Sequence, residues 1–214
     1  VVASELDDAA LIATIPRASL ADCRALAAEA AQRHLVSAVP ALDALCRRFK
    51  GFGLTHRVPE QIATIEALAM LGGQEAAQAI ARLIPERVVD GPGLADAVSA
   101  AAKLRVRLPP DTVLTLLRDA EPGIRADACR CADWCREAIP VLVNLLDDLH
   151  GTVAAAAACA LGRMGKREGR LKLTQLLRET PTPEVIESVS PIADEECIVL
   201  LGRLARTGSG LAMA

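Results

Sequence analysis

An apolar pair, usually Leu-Leu and followed by charged residues, recurs along this chain at a spacing near thirty residues. The separations are 33, 29 and 31 residues between the second members of successive pairs, which are Ile84, Leu117, Leu146 and Leu177. A period of this length is too long for a heptad and is typical of two helices joined by a turn. Because such a unit cannot bury its apolar face alone, we expect neighbouring units to stack.

Short turns rich in Pro, Gly and Asp follow three of these pairs, at 119–123, 147–151 and 179–184. Gly and Pro in these positions end one helix and begin the next. The segments 124–135 and 153–165 are dense in alanine, with small residues recurring at helical spacing. Both are predicted to be the second helix of a unit.

The kind of hydrophobic residue indicates the fold class. Hydrophobic residues make up 52% of the chain but aromatic residues only 1%, so Ala and Leu fill the apolar positions. Sheets favour aromatic and β-branched residues, whereas Ala and Leu are strong helix formers. The predicted fold class is therefore all-α.

The stretch 138–165 resembles a HEAT-like repeat of the PBS-lyase type. In that family the second helix reads Val-Arg-x-x-Ala-Ala-x-Ala-Leu-Gly-x-Leu-Gly, and seven residues lie on this pattern: Val153, Ala157, Ala160, Leu161, Gly162, Met164 and Gly165. The frequent Arg is replaced by Ala154 here, whereas the preceding repeat keeps it as Arg125. The resemblance implies that such an Arg pairs with a turn Asp, of which Asp119 is an example, in a ladder between units.

The resemblance also implies the architecture and the function. We expect a right-handed α-solenoid of about six helix–turn–helix repeats over residues 1–207, followed by a flexible tail at 208–214. Such an array is expected to be a non-enzymatic scaffold or adaptor that binds a partner protein through a concave surface of second helices. The alternative is a phycobilin-lyase-like HEAT protein, or a metal or redox carrier that uses its cysteines.

Catalytic residues are not predicted. No Ser or Cys occupies an elbow-like turn with a plausible His partner. HEAT-like iron hydroxylases carry repeated His-Glu pairs, and none of the three histidines here, His34, His56 and His150, precedes a Glu. We therefore expect no enzymatic activity and no cofactor.

Charge and cysteine content restrict the partners and the compartment. The net charge of −3 is not that of a general nucleic-acid binder, which needs a basic surplus. No apolar run approaches the roughly 20 residues that cross a bilayer, so membrane insertion is not expected. An odd count of seven cysteines within helical patterns is typical of free thiols in a reducing compartment. We expect a cytoplasmic protein.

Trp134, the only tryptophan, is the first candidate contact residue. When the repeats are aligned, Trp134 occupies the position that Arg163 holds in the next unit. Asp127, Arg130 and Asp133 are predicted to lie on the same helix as Trp134. Tryptophan is enriched at interface hot spots, so it is a candidate anchor for a partner. Alternatively, Trp134 fills a gap between two units. For the charged residues beside it, the simpler interpretation is a solvated helix face.

The second candidate is an insertion at 47–57, which carries Phe49, Phe52 and four cations. Long loops in compact arrays are often functional, and apolar tips flanked by cations suit an acidic partner. The phenylalanines are equally able to tuck under the loop and hold it.

The third candidate is the cysteine cluster Cys129, Cys131 and Cys135. On a helix Cys131 and Cys135 share a face, whereas Cys129 lies about 200° from Cys131. We expect packing thiols, with a metal or redox role as the alternative.

Overall fold

A computed structural model describes residues 2–206, and these residues form thirteen α-helices and no strand. The chain divides into two compact units, Val1–Pro109 and Pro110–Ala214. The all-α prediction is confirmed.

The first unit contains six α-helices and four short 3₁₀ helices. The 3₁₀ helices are Ala3–Glu5, Ile15–Arg17, Val36–Ala38 and Gly91–Gly93. The α-helices are α1 (Asp8–Thr14), α2 (Cys23–Gln32), α3 (Val39–Arg48), α4 (Pro59–Leu71), α5 (Gly73–Leu83) and α6 (Leu94–Lys103).

The second unit contains seven α-helices within its described residues, with 3₁₀ helices at Arg136–Ala138, Arg167–Gly169 and Ser190–Ile192. The α-helices are α7 (Pro110–Leu116), α8 (Pro122–Arg130), α9 (Ile139–Leu145), α10 (Gly151–Arg163), α11 (Arg170–Glu179), α12 (Pro183–Val189) and α13 (Glu195–Arg206).

The helices follow the predicted alternation of first and second helices. Twelve of those described make six consecutive pairs, from α1 with α2 to α11 with α12, and α13 follows the last pair. In the first unit α4 packs between α2 and α6, and in the second unit α10 packs between α8 and α12. Each set of three second helices is called a second-helix layer below.

Proline residues, and residues with a left-handed backbone conformation, set many of the helix boundaries. Proline occupies the first or second position of α3, α4, α8, α9 and α12, where its missing N–H costs no helical hydrogen bond. His34, just after α2, has a φ of 54°, and the next residue, Leu35, donates its N–H back to the Ala30 carbonyl at 3.0 Å. Bonds of this kind satisfy carbonyls that the end of a helix leaves open.

Alanine allows the second unit to pack closely around α10. Nine of the thirteen residues of α10 are buried, and six of these nine are alanine or glycine. Small side chains let neighbouring helices approach, while Leu142, Leu161 and Leu173 supply much of the buried apolar volume. Burial of one such leucine side chain stabilises the fold by about 1.5–3 kcal/mol.

One predicted helix is shorter than expected, and one predicted segment lies outside the described residues. The helix predicted at 124–135 ends at Arg130. The predicted flexible tail at 208–214 lies outside the described residues. That residues 1–207 form a single array stays a prediction.

Candidate partner-binding site

Four of the predicted contact residues meet in one ion-pair network, together with Glu184. Arg130 Nε lies 3.2 Å from Glu184 Oε1, and Arg163 Nη1 lies 3.6 Å from the same oxygen. Arg130 also binds Asp127 at 2.8 Å, and Arg163 binds Asp133 at 3.2 Å. Three acids and two cations therefore share one surface, which we call the inner ion-pair network.

Helix ends place these charges favourably. Arg130 and Arg163 are the last residues of α8 and α10, and Glu184 lies in the first turn of α12. Cations are stabilised at a helix C-terminus and anions at an N-terminus, by about 0.3–1 kcal/mol each when exposed. The sequence analysis did not single out Glu184. Its position after Thr182 and Pro183, a typical helix start, could have identified it as an acid in the first turn of a helix.

The Arg130–Glu184 pair spans the second-helix layer, because α10 lies between the helices that carry the two residues. The Arg130 and Glu184 side chains lie near the Cys159 thiol. Burial raises the pKa of this thiol, and the charge of Glu184 raises it further. Burial lowers the pKa of Arg130, but Glu184 and Asp127 outweigh it, so the net shift is upward. Arg130 is therefore a fixed cation.

Gly162 brings α12 close enough to complete the network. A Cβ atom at this position would lie 2.3 Å from the Ser188 carbonyl oxygen and 2.6 Å from Leu173 Cδ1. With the two helices at this distance, Arg163 Nη1 donates to Ser188 Oγ at 3.2 Å. The glycine is required by the close approach of another backbone.

A second ion pair joins neighbouring repeats on the turn side. Arg125 Nε and Nη2 donate to the two oxygens of Asp148, at 2.9 and 3.1 Å. The same guanidinium donates to the Asp119 and Ala120 carbonyls, at 2.8 and 2.9 Å. The carboxylate partner of Arg125 is thus the Asp of the following turn, while Asp119 contributes its backbone.

The two turns are built alike. Asp148 Oδ1 accepts the His150 N–H at 2.9 Å, and Asp119 Oδ1 accepts the Glu121 N–H at 2.8 Å. Each aspartate therefore closes its turn before the second helix begins. In the next unit Ala154 has no guanidinium, so this rung of the ladder is not repeated there.

Trp134 lies in the turn after α8, and its predicted place on a helix is wrong. The Cys135 N–H donates to the Ala132 carbonyl at 2.9 Å, which is a turn bond. Asp133 and Trp134 are modest helix formers, and a carboxylate is unfavourable at a helix C-terminus. The Trp134 side chain is half-buried, and its Nε1–H is buried without an acceptor among the described residues.

Comparison with known protein families gives a match to the second unit of the chain. The family model described as HEAT repeats matches residues 110–190. These residues are HEAT repeats. A search of curated proteins finds no match to the chain.

The matched HEAT repeats hold the whole inner ion-pair network as well as the Arg125–Asp148 pair. They also carry the cysteine cluster, in which all three thiols are free and buried. Burial raises the pKa of Cys129 and Cys131 to about 12, so both stay protonated at neutral pH. Metal ligation requires thiolates. No group of three or more metal-ligating residues is found among residues 2–206.

The insertion lies in the first unit, outside the matched HEAT repeats, and its two phenylalanines differ in exposure. Phe49 is buried, whereas 63% of Phe52 is exposed. Their ring centroids are 6.3 Å apart in an edge-to-face arrangement, and Arg48 lies 5.6 Å above the Phe49 ring. Phe49 therefore holds the loop, and Phe52 and the 62% exposed Leu54 are the apolar side chains that it presents.

Several contacts fix this loop in place. A Cβ atom on Gly91 would lie 2.3 Å from the Gly53 oxygen and 2.6 Å from the Leu54 oxygen, so the two segments are in close backbone contact. Arg57 Nη2 binds Asp96 Oδ1 at 2.6 Å. The exposed apolar pair is thus presented on a well-anchored loop.

No helix among the described residues is long and apolar enough to cross a membrane.

Proposed function

We propose that this chain is a non-enzymatic adaptor that binds a partner protein through the second-helix layer of its HEAT repeats. The inner ion-pair network is the observation that carries this proposal. It spans α8, α10 and α12 and presents a set pattern of charge beside a half-buried tryptophan. A pattern of this kind supports recognition, because complementary charge selects partners and Trp and Arg are frequent hot spots.

The polarity of the network defines the partner that we propose. The network contains three carboxylates and two guanidinium groups, so its net charge is negative. A partner segment with a surplus of basic groups would match it. The Trp134 face supplies apolar area at the edge of the same surface.

The loop is proposed as a second contact, through Phe52 and Leu54. Of the four cations in the loop, Arg47 and Arg57 are paired with acids of the chain, whereas Lys50 is exposed beside the apolar pair. An exposed cation beside apolar side chains favours an acidic partner segment with an apolar side chain. Phe49 contributes by holding the loop.

We further propose a reducing, cytoplasmic compartment. All seven cysteines are free and buried. Free buried thiols are typical of proteins from reducing environments.

The test is affinity capture from a lysate of the source cells, read by mass spectrometry, with the full chain as bait. Three variants accompany it: Trp134→Ala, the charge swap Arg130→Glu with Glu184→Arg, and the control Arg167→Glu, an exposed residue outside the network. The swap keeps the ion pair between positions 130 and 184 but sets like charges at Asp127 and Arg163, so circular dichroism first checks that this variant folds. We expect a partner retained by the control and lost by both other variants. Equal capture by all four chains contradicts the proposed surface.

A further inference from the structure

Helix α13 carries an exposed stripe on the face that points away from the core of the second unit. Its inner face belongs to or packs against the buried apolar cluster of this unit, through Cys197, Leu200, Leu201 and Leu204. The opposite face is exposed and consists of Glu195, Ile198, Val199, Gly202, Ala205 and Arg206. At about 100° per residue these positions lie within about 120° of one another, so they form one continuous surface. We call it the α13 stripe.

The middle of the α13 stripe is apolar although it is open to solvent. Ile198 is 62% exposed and Val199 is 46% exposed. Both are β-branched and therefore only modest helix formers, so their place on an outer helix face is not explained by helix stability. Adjoining exposed apolar residues with charged residues at the rim are typical of an interaction site.

Gly202 indicates that another helix approaches this face. Glycine is the least favourable residue of a helix interior after proline, and a Cβ atom at this position would meet nothing within 4 Å. Packing within the described chain therefore does not require it. The same Leu-Gly-Arg sequence occurs at 161–163, where a Cβ atom on Gly162 would lie 2.3 Å from the Ser188 carbonyl oxygen of α12. In α10 this glycine lets a second helix come close, whereas in α13 the glycine faces solvent.

The two ends of the α13 stripe carry opposite charges. Glu195 is the first residue of α13 and Arg206 is the last. Both are exposed, and neither forms an ion pair within residues 2–206. The neighbouring acids are already used, because Arg170 binds Asp194 and Arg178 binds Glu196. The stripe therefore suits a surface that carries one cation and one acid in the reverse order.

The α13 stripe is complementary to itself when its direction is reversed. Glu195 and Arg206 are equally far from the midpoint of the helix, and so are Val199 and Gly202. Two copies of α13 that pack antiparallel at their midpoints place each Glu195 opposite the Arg206 of the other copy. They also set each Val199 side chain against the bare backbone of the other Gly202. A parallel pair would instead bring like charges together.

We propose that two copies of this chain form a two-fold symmetric dimer through the α13 stripe, with the two helices antiparallel. In such an interface every contact occurs twice. The helix is about 18 Å long, so the buried area is small. Interfaces below about 1,200 Å² are weak and reversible, and the dimer is of this kind. The inference is independent of the proposed adaptor function, since it uses another surface and needs no other protein.

The experiment is sedimentation equilibrium of the full chain at concentrations from about 5 to about 500 µM, the range that resolves weak association. We expect the average mass to rise with concentration from that of one chain toward that of two. Gly202→Gln should weaken the dimer about tenfold or more, because its side chain takes the space of Val199 from the other copy. The same variant should melt at an equal or higher temperature, because glutamine is the better helix former and its Cβ meets nothing.

Charge variants test the antiparallel arrangement. Glu195→Arg should weaken the dimer about five- to twentyfold, because like charges then meet at both ends of the interface. Adding Arg206→Glu to this variant should bring the affinity back to within about twofold of the original, which a parallel pair would not do. The control is Glu75→Arg, which makes the same charge change at an exposed acid in the first turn of α5 and should leave the dimer unchanged.

Three results overturn the inference: the mass of one chain at every concentration, an equally stable dimer in Gly202→Gln, or no recovery in the double charge variant. A lower melting temperature of Gly202→Gln would contradict the open setting of this glycine, on which the inference rests. The capture experiment fails or succeeds separately. A monomeric chain that captures its partner keeps the adaptor and removes the dimer, and a dimer without a captured partner does the reverse.

Discussion

Arg130 and Glu184 lie 54 positions apart in the sequence, yet their side chains form an ion pair across α10. The pair joins helices of two repeats that are separated by a third, so it acts on the packing of all three. Arg163, the last residue of that middle helix, binds the same carboxylate. The proposed recognition surface and the contacts that brace the helices therefore use the same side chains.

The first prediction concerns how much the Arg130–Glu184 pair contributes to the free energy of unfolding. Arg130→Gln should lower the free energy of unfolding by about 0.5–1 kcal/mol, because the pair is partly exposed and solvent screens it. The double variant Arg130→Gln with Glu184→Gln should lose less than the two single losses added together. Urea unfolding followed by circular dichroism measures this. Strictly additive losses would show that the pair contributes no coupling.

The second prediction concerns the close approach at Gly162. Gly162→Ala should cost about 1–3 kcal/mol, because the new methyl group meets the Ser188 carbonyl and the Leu173 side chain. Gly151→Ala, in the first turn of the same helix, is the matched control, since nothing lies within 4 Å of its Cβ position. The control should be neutral or stabilising by up to about 1 kcal/mol. Thermal unfolding of both variants decides it, and equal melting temperatures would contradict the packing described.

The third prediction uses the Arg125–Asp148 pair. Hydrogen bonding to Arg125 lowers the pKa of Asp148 below its usual value. The stabilisation is therefore complete above the unfolded-state pKa, about 4, and is lost as the pH falls through the lower folded-state pKa. Asp148→Asn should remove this part of the acid destabilisation and lower stability at neutral pH. Urea unfolding at a series of pH values between neutral and acidic tests it, and parallel profiles for both chains would refute it.

The fourth prediction concerns the buried thiols. The pKa values of Cys129 and Cys131 are raised from 9.0 to about 12, so folding holds these thiols in the protonated form. Their contribution to stability is fully present below pH 9 and is lost as the pH rises toward 12. Unfolded chains should react with a thiol reagent at all seven cysteines, and native chains should react slowly. Rapid labelling of Cys129 or Cys131 in native protein, located by peptide mass spectrometry, would contradict their burial.

The fifth prediction distinguishes the two phenylalanines of the loop. Phe49→Ala should destabilise the first unit by about 3 kcal/mol, because it empties a buried site. Phe52→Ser should change stability by less than about 0.5 kcal/mol, since the ring is exposed. If the loop is a contact, Phe52→Ser should still reduce partner capture. A stable Phe52→Ser chain with full capture would leave the loop without that role.

The candidate site could be predicted from the sequence only in part. Arg130, Asp127, Asp133 and Arg163 were identifiable because they lie near the end of second helices in aligned repeats. Their common partner, Glu184, was not identifiable, because the sequence separates it from Arg130 by a whole repeat. The end of α8 was also misjudged, since the alanine pattern continues to Ala132 while the helix does not.

The sequence by itself determined the repeat, the helical class and the alternation of first and second helices. Periodic Leu pairs, alanine-rich segments and Pro- or Gly-rich turns are local signals, and each acts within one unit. Tertiary structure decided which charges meet and which phenylalanine is buried. Those outcomes depend on distances between residues far apart in the chain, and stacking of the helices sets these distances. Glu184 meets Arg130 because α8 and α12 both pack against α10, which brings the end of one helix and the start of the other within reach of two long side chains.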